Sequence, residues 1–186
     1  MALTKYIGFF VFLLLLGCSD QKHKDDQGQV PQKADISAPE APKVWEFLDQ
    51  KNGHIRLEHT PKGLSIQSLT PAPMLVAFLS LDSQFAPYSA LLNHLESMFK
   101  GMRFVAVLDK PYPQEQFESY VKAHAPKFIL LNPTSDLGDL SMALQTSTWT
   151  LPYFLLYSQN GVLQQSYRGA IVEEMLTKDI QDLLKR

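Results

Sequence analysis

The sequence predicts an α/β domain, a central mixed β-sheet flanked by helices with a β-hairpin extension at its N-terminal side. Three observations carry that expectation. The runs "MLVAFLSL", "MRFVAVLD" and "KFILLN" are apolar on both alternating faces, as strands covered on both sides of a sheet must be. Segments with helical spacing separate them, which is the alternation that builds layered α/β domains. Near the end, Asn160-Gly161 sits between two aromatic-rich runs, a strong signal for an antiparallel hairpin.

The elements follow in order. The domain is expected to begin at about Val44. Phe47, Asn52-Gly53 and the alternation from His54 to His59 give a short hairpin, with an edge segment near Leu64 to Leu69. Pro71 and Pro73 then punctuate the chain ahead of the first core strand. From Gln84 to Lys100, the spacing of Leu91, Leu92, Leu95, Met98 and Phe99 predicts a helix, with Gly101 as its C-cap. A second buried strand, the Pro111-Tyr112-Pro113 turn, a short helix marked by Phe117, Tyr120 and Val121, a third strand, and a helix from Asp136 to Leu144 come next. After the Asn160-Gly161 hairpin, Leu176, Ile180, Leu183 and Leu184 place a closing helix over Ile171 to Arg186. Strand, helix, strand, helix, then hairpin and helix is the order of a thioredoxin-like fold.

Composition bounds the rest. The 186 residues carry a formal charge of −2, with no basic stripe, so nucleic acid is not an expected partner. Lys5 precedes an apolar run from Tyr6 through Leu16, too short to span comfortably and laid out like a secretory signal. It ends in Leu15-Leu16-Gly17-Cys18, which resembles the lipobox of bacterial lipoproteins. That resemblance implies a signal peptide over 1–17 and acylation of Cys18, the one cysteine in the chain, so the expected first partner is a lipid bilayer. Ser19 lacks the Asp that resembles an inner-membrane retention signal, so the expected location is the periplasmic side of the envelope, with the outer membrane preferred. Residues 18–43, rich in Gln, Lys, Asp, Pro and Ala, read as a flexible tether, and 44–186 as the domain.

With these residues in place, the stretch from Trp45 to Arg186 resembles the membrane-anchored thioredoxin-like proteins of bacteria, the TlpA or redoxin type. The resemblance rests on the Phe78 strand, the helix after it, the inserted Gln114 to Leu144 segment and "TLPYFLLYSQNGVLQQSYRGA". It implies that Pro152 is cis and that Gly169 is the glycine after the last strand. It also implies an active-site loop where the first core strand meets its helix.

The chain departs from the family at that loop. Where a Cys-x-x-Cys is expected, the sequence reads Asp82, Ser83, Gln84, Phe85, Ala86, with Ser83 and Ala86 at the two cysteine positions. A helix N-terminus lowers the pKa of a thiol there, but its contribution of about 1–2 kcal/mol falls far short of ionising a serine hydroxyl. No thiol-disulfide catalysis is expected. Ser83 as a hydrolytic nucleophile would need a histidine base, and His94 lies three helical turns away, so an N-cap role is the simpler expectation. The residues before the proline, Trp149, Thr150 and Leu151, are expected beside the loop, forming with Pro152 a shallow peptide groove that Phe85 and Trp149 line with aromatic surface.

No cofactor and no metal are expected. His54 and Glu58 share one strand face while His59 takes the other, and His23 and His124 lack a second ligand at suitable spacing. The expected function is a redox-inactive, lipid-anchored module that binds an envelope protein or peptide. The alternative is a thiol-disulfide oxidoreductase-related protein or accessory in envelope redox or cytochrome maturation. A third reading, metal or haem handling through the histidines, stays open.

Overall fold

The computed structural model describes residues 41–67, 69–82, 85–144 and 150–185. The expected leader 1–17, Cys18, His23 and the tether before residue 41 lie outside the described residues, as do Ser83, Gln84 and Trp149.

Three antiparallel strands open the domain: β1 (Lys43–Asp49), β2 (His54–Thr60) and β3 (Gly63–Ile66). Then come β4 (Met74–Leu79), α1 (Phe85–Met98), β5 (Arg103–Leu108), α2 (Gln114–His124), β6 (Ile129–Pro133), α3 (Gly138–Ala143), β7 (Tyr153–Tyr157), β8 (Leu163–Arg168) and α4 (Glu173–Leu184). They form one mixed sheet in the order β3-β2-β1-β6-β5-β4-β7-β8. The β4–β5 and β5–β6 pairs are parallel, and β1 pairs antiparallel with β6. β7 runs antiparallel to β4 and places Phe78 opposite Tyr153.

Alternation along the central strands explains why these runs are apolar throughout. Leu75, Ala77 and Leu79 of β4 join Phe104, Ala106 and Phe154 under α1, α2 and α4. Val76 and Phe78, with Val105, Val107 and Leu155, face the other way, where Trp45, Phe47, Leu57 and Leu64 of the first three strands and Leu140 of α3 cover them. Each fully buried Leu or Phe contributes about 1.5–3 kcal/mol, so both faces need a cover.

The second cover works because the sheet curls until β3 reaches the β7–β8 turn. The Leu64 N–H donates to the Gly161 carbonyl at 2.8 Å. Two glycines make this approach possible. A Cβ on Gly63, whose φ is +136°, would lie 2.0 Å from the Gly161 oxygen, and one on Gly161, at φ +74°, would lie 2.3 Å from the Leu64 oxygen. No side chain fits at either place.

The expected hairpin and edge segment join as a three-stranded meander, and the hairpin bend uses Asn52 at φ 61°, held by Asp49, whose Oδ1 accepts from the N–H groups of Lys51 (2.8 Å) and Gly53 (2.6 Å). Two helix ends and two exposures differ from expectation. Gly101 is not a left-handed C-cap. α1 ends at Met98, and the Met102 N–H donates to the Phe99 carbonyl, so Gly101 sits in an ordinary turn. Ala125, at φ 42° and followed by Pro126, supplies instead the left-handed cap of α2. Met98 and Leu184, expected on buried stripes, are 45% and 42% exposed, each at the last residue of its helix.

Candidate functional site

The Phe78–Tyr153 pairing determines what meets at the C-terminal end of β4. Beyond Phe78 the chain runs through Ser80 to Asp82 into α1; ahead of Tyr153 it runs through Thr150 and Leu151 to Pro152. The Leu151–Pro152 peptide is cis. The first turns of α1, this bond and the β8–α4 connection enclose an open depression of about 550 Å³. Pro87, Tyr88, Leu91, Leu151, Pro152, Ala170 and Ile171 line it, none of them charged. The Gly169 N–H donates to the Pro152 carbonyl at 2.8 Å, which fixes the β8–α4 connection against the proline loop.

Of the expected loop residues, Asp82 and Ala86 are exposed. The Asp82 carbonyl accepts from the Phe85 N–H at 3.1 Å, and its carboxylate accepts from the Ser80 hydroxyl at 2.6 Å. Phe85 corrects an expectation. It does not line the groove but is 1% exposed, edge-on to Tyr120 at 5.6 Å and to His124 at 5.5 Å between ring centroids. Helical phase is the reason: Phe85, Ser89 and Leu92 form the buried stripe of α1, while Tyr88 and Leu91 fall on the groove side. Thr150 is exposed and Leu151 half-buried at the groove.

Two tyrosines hold the loop from below. The Leu81 N–H donates to the Tyr112 hydroxyl at 3.1 Å, and that hydroxyl donates to Asp109 Oδ1 at 2.8 Å. The Tyr120 hydroxyl donates to the Leu81 carbonyl at 2.7 Å. Both backbone groups of Leu81 are thereby satisfied by side chains. The Tyr112 backbone is fixed in turn by Asn132, which is buried: its Oδ1 accepts from the Tyr112 N–H (3.0 Å) and its Nδ2 donates to the Tyr112 carbonyl (2.9 Å). Burial pushes the Tyr112 phenol up to about 12, and its bond to the Asp109 carboxylate acts in the same direction.

The histidines do not converge. His94 pairs with Glu173 at 3.1 Å, joining α1 to α4. His124 ends α2, stacked on Tyr120. His54 is exposed at the start of β2, with Glu58 and His59 farther along the strand. Among the described residues, no group of three or more His, Cys, Asp or Glu side chains is placed to hold a metal ion, and no helix is long and apolar enough to cross a membrane.

No family model and no curated protein matches the chain. Solved structures do. A thiol-disulfide oxidoreductase from Bacteroides fragilis NCTC 9343 superposes with a TM-score of 0.57 at 16% identity, covering 76% of this chain and 97% of that one. The exposed lipoprotein thioredoxin of Streptococcus pneumoniae strain TIGR4 gives 0.57 at 13% identity, over 76% and 100% of the two chains. A secreted disulfide oxidoreductase of Mycobacterium tuberculosis gives 0.55 at 15% identity, over 75% and 96%. With its mixed sheet, helical cover and cis-proline loop, the chain has a thioredoxin-like fold.

Proposed function

We propose that the chain is a redox-inactive thioredoxin-like module, lipid-anchored through Cys18 on the periplasmic side of a bacterial envelope, that binds an extended segment of a protein or peptide. The observation that carries this reading is the uncharged depression between α1 and the Leu151–Pro152 bond. An extended segment laid there would bury apolar side chains on Tyr88, Leu91 and Ile171 and pair its backbone with the Thr150–Leu151 stretch. Loss of thiol chemistry follows from the sequence. The chain has one cysteine, and Ser83 and Ala86 stand where the resemblance places the reactive pair.

The names of the structural neighbours favour a second reading, an accessory of envelope thiol-disulfide exchange that works beside a cysteine-bearing partner. An insulin-reduction assay separates the two. The purified full chain is expected to reduce insulin no faster than buffer with dithiothreitol, and turnover above that level overturns the inactive reading. For the groove, a photo-crosslinking residue at Leu91 should capture a partner in intact envelopes, and Ile171→Asp should abolish that capture. Capture that is indifferent to Ile171→Asp places the binding surface elsewhere.

A further inference from the structure

The opposite end of the strands carries a second site, independent of the groove. Between β3, the connection from Leu69 to Ala72 and the β7–β8 turn lies a pocket of about 260 Å³. Leu69, Pro71 and Ala72 give it apolar surface above the buried Leu64, Ile66 and Met74, and Ser65, Thr70, Arg103, Gln159 and Asn160 are the polar residues of its lining. The Gly63–Gly161 contact bounds it on one side, since it seats the β7–β8 turn against β3.

Arg103 is half-buried and only partly satisfied. Its Nε and Nη2 donate to the Thr70 carbonyl at 3.2 and 3.1 Å, and Nη2 also donates to the Thr70 hydroxyl at 2.6 Å. Those bonds use three of the five guanidinium N–H groups. Among the described residues, the two on Nη1 have no acceptor, Arg103 forms no ion pair, and no carboxylate lines the pocket.

A guanidinium held by Thr70 with spare donors, beside an apolar surface and with no acid among the described lining residues, is complementary to one negative charge carried on a hydrocarbon body. We infer that this pocket binds a small monocarboxylate whose apolar part lies against Leu69, Pro71 and Ala72 while its carboxylate accepts from Arg103. At about 30 Å³ for each water-sized group, the volume holds roughly eight non-hydrogen atoms, the size of hexanoate. A doubly charged phosphate would meet a single cation, which favours the carboxylate.

The test titrates the full chain with hexanoate, with hexanamide as the neutral isostere, and with acetate and inorganic phosphate, by calorimetry and by amide chemical shifts. Hexanoate should saturate one site, move the Leu64, Ile66 and Gly161 amides, and bind about tenfold or more tighter than hexanamide. Arg103→Gln should remove that preference, and Ala72→Leu should fill the pocket with the arginine intact. If Arg103→Gln does not fold, Ala72→Leu and the hexanamide comparison decide. Absence of saturable hexanoate binding, equal affinity for the amide, tighter binding of phosphate, or indifference to Ala72→Leu would each overturn the assignment.

Discussion

The two faces of the central sheet are buried by different means. α1, α2 and α4, of 14, 11 and 12 residues, cover one. On the other, α3 has only six residues, and the three N-terminal strands supply the remaining cover. A helix brings its own backbone hydrogen bonds wherever it docks. A strand meander must be attached at a sheet edge and then curled, so its placement depends on β1 pairing with β6 and on β3 reaching the last hairpin. The helical cover rests on side-chain packing spread over many residues, whereas the strand cover also rests on a few backbone approaches where substitution has no slack.

Mutations can break this comparison, starting with the largest effects. Phe117→Ala in α2 and Phe47→Ala in β1, both fully buried, should each cost about 3–5 kcal/mol in denaturant unfolding, since both faces are packed core. Equal losses would show that the strand cover is as integral as the helical one, and a small loss for Phe47→Ala would mark it as an appendage. Gly63→Ala should cost about 3 kcal/mol, because the added carbon collides with a backbone oxygen that cannot rotate away. Gly101→Ala on the helical side meets nothing within 4 Å, and its unfolding midpoint should stay within about 0.5 kcal/mol of wild type.

Smaller effects sharpen the picture at the loop. Tyr120→Phe leaves the Leu81 carbonyl without its side-chain donor and should cost about 1–2 kcal/mol. Tyr112 supplies one part of the alkaline pH dependence, beside Tyr157 and Tyr167, whose phenols burial also raises. The folded value of Tyr112, about 12, exceeds the ordinary 10.0, so the folded state favours the protonated phenol. The stability this provides is fully present below pH 10 and is lost as pH rises toward and through 12. Denaturant midpoints over that range should fall less steeply in Tyr112→Phe than in wild type. Least of all, Arg56→Ala should change stability by under about 1 kcal/mol, because its pair with Glu46 is more than half exposed at both side chains.

Much of this architecture is legible in the sequence because two-sided apolar runs such as "MLVAFL" leave little alternative to a covered strand. The residues beside the loop are less legible. Phe85 lies next to the positions where the resemblance expects sulfur, which invites a role in recognition, yet the phase of Phe85, Ser89 and Leu92 turns it inward. A serine in the buried stripe masks that phase. The tyrosines are harder still. Leu81 meets Tyr112 and Tyr120 across 31 and 39 residues of chain, and no local pattern in the sequence encodes such a meeting. Ile171 faces Tyr88 across the groove for the same nonlocal reason. One local signal is available, the Tyr88–Leu91 spacing of three on the flank of α1 beside its buried stripe.

The seat of Gly63 against Gly161 also constrains how this protein can change over generations. Two turns nearly a hundred positions apart in the chain share one interatomic gap, so lengthening or refilling either is tolerable only when the other yields in step. The opening meander and the closing hairpin are therefore bound to drift as a matched set, and grafting one of them from a relative without its counterpart should produce a chain whose sheet cannot close.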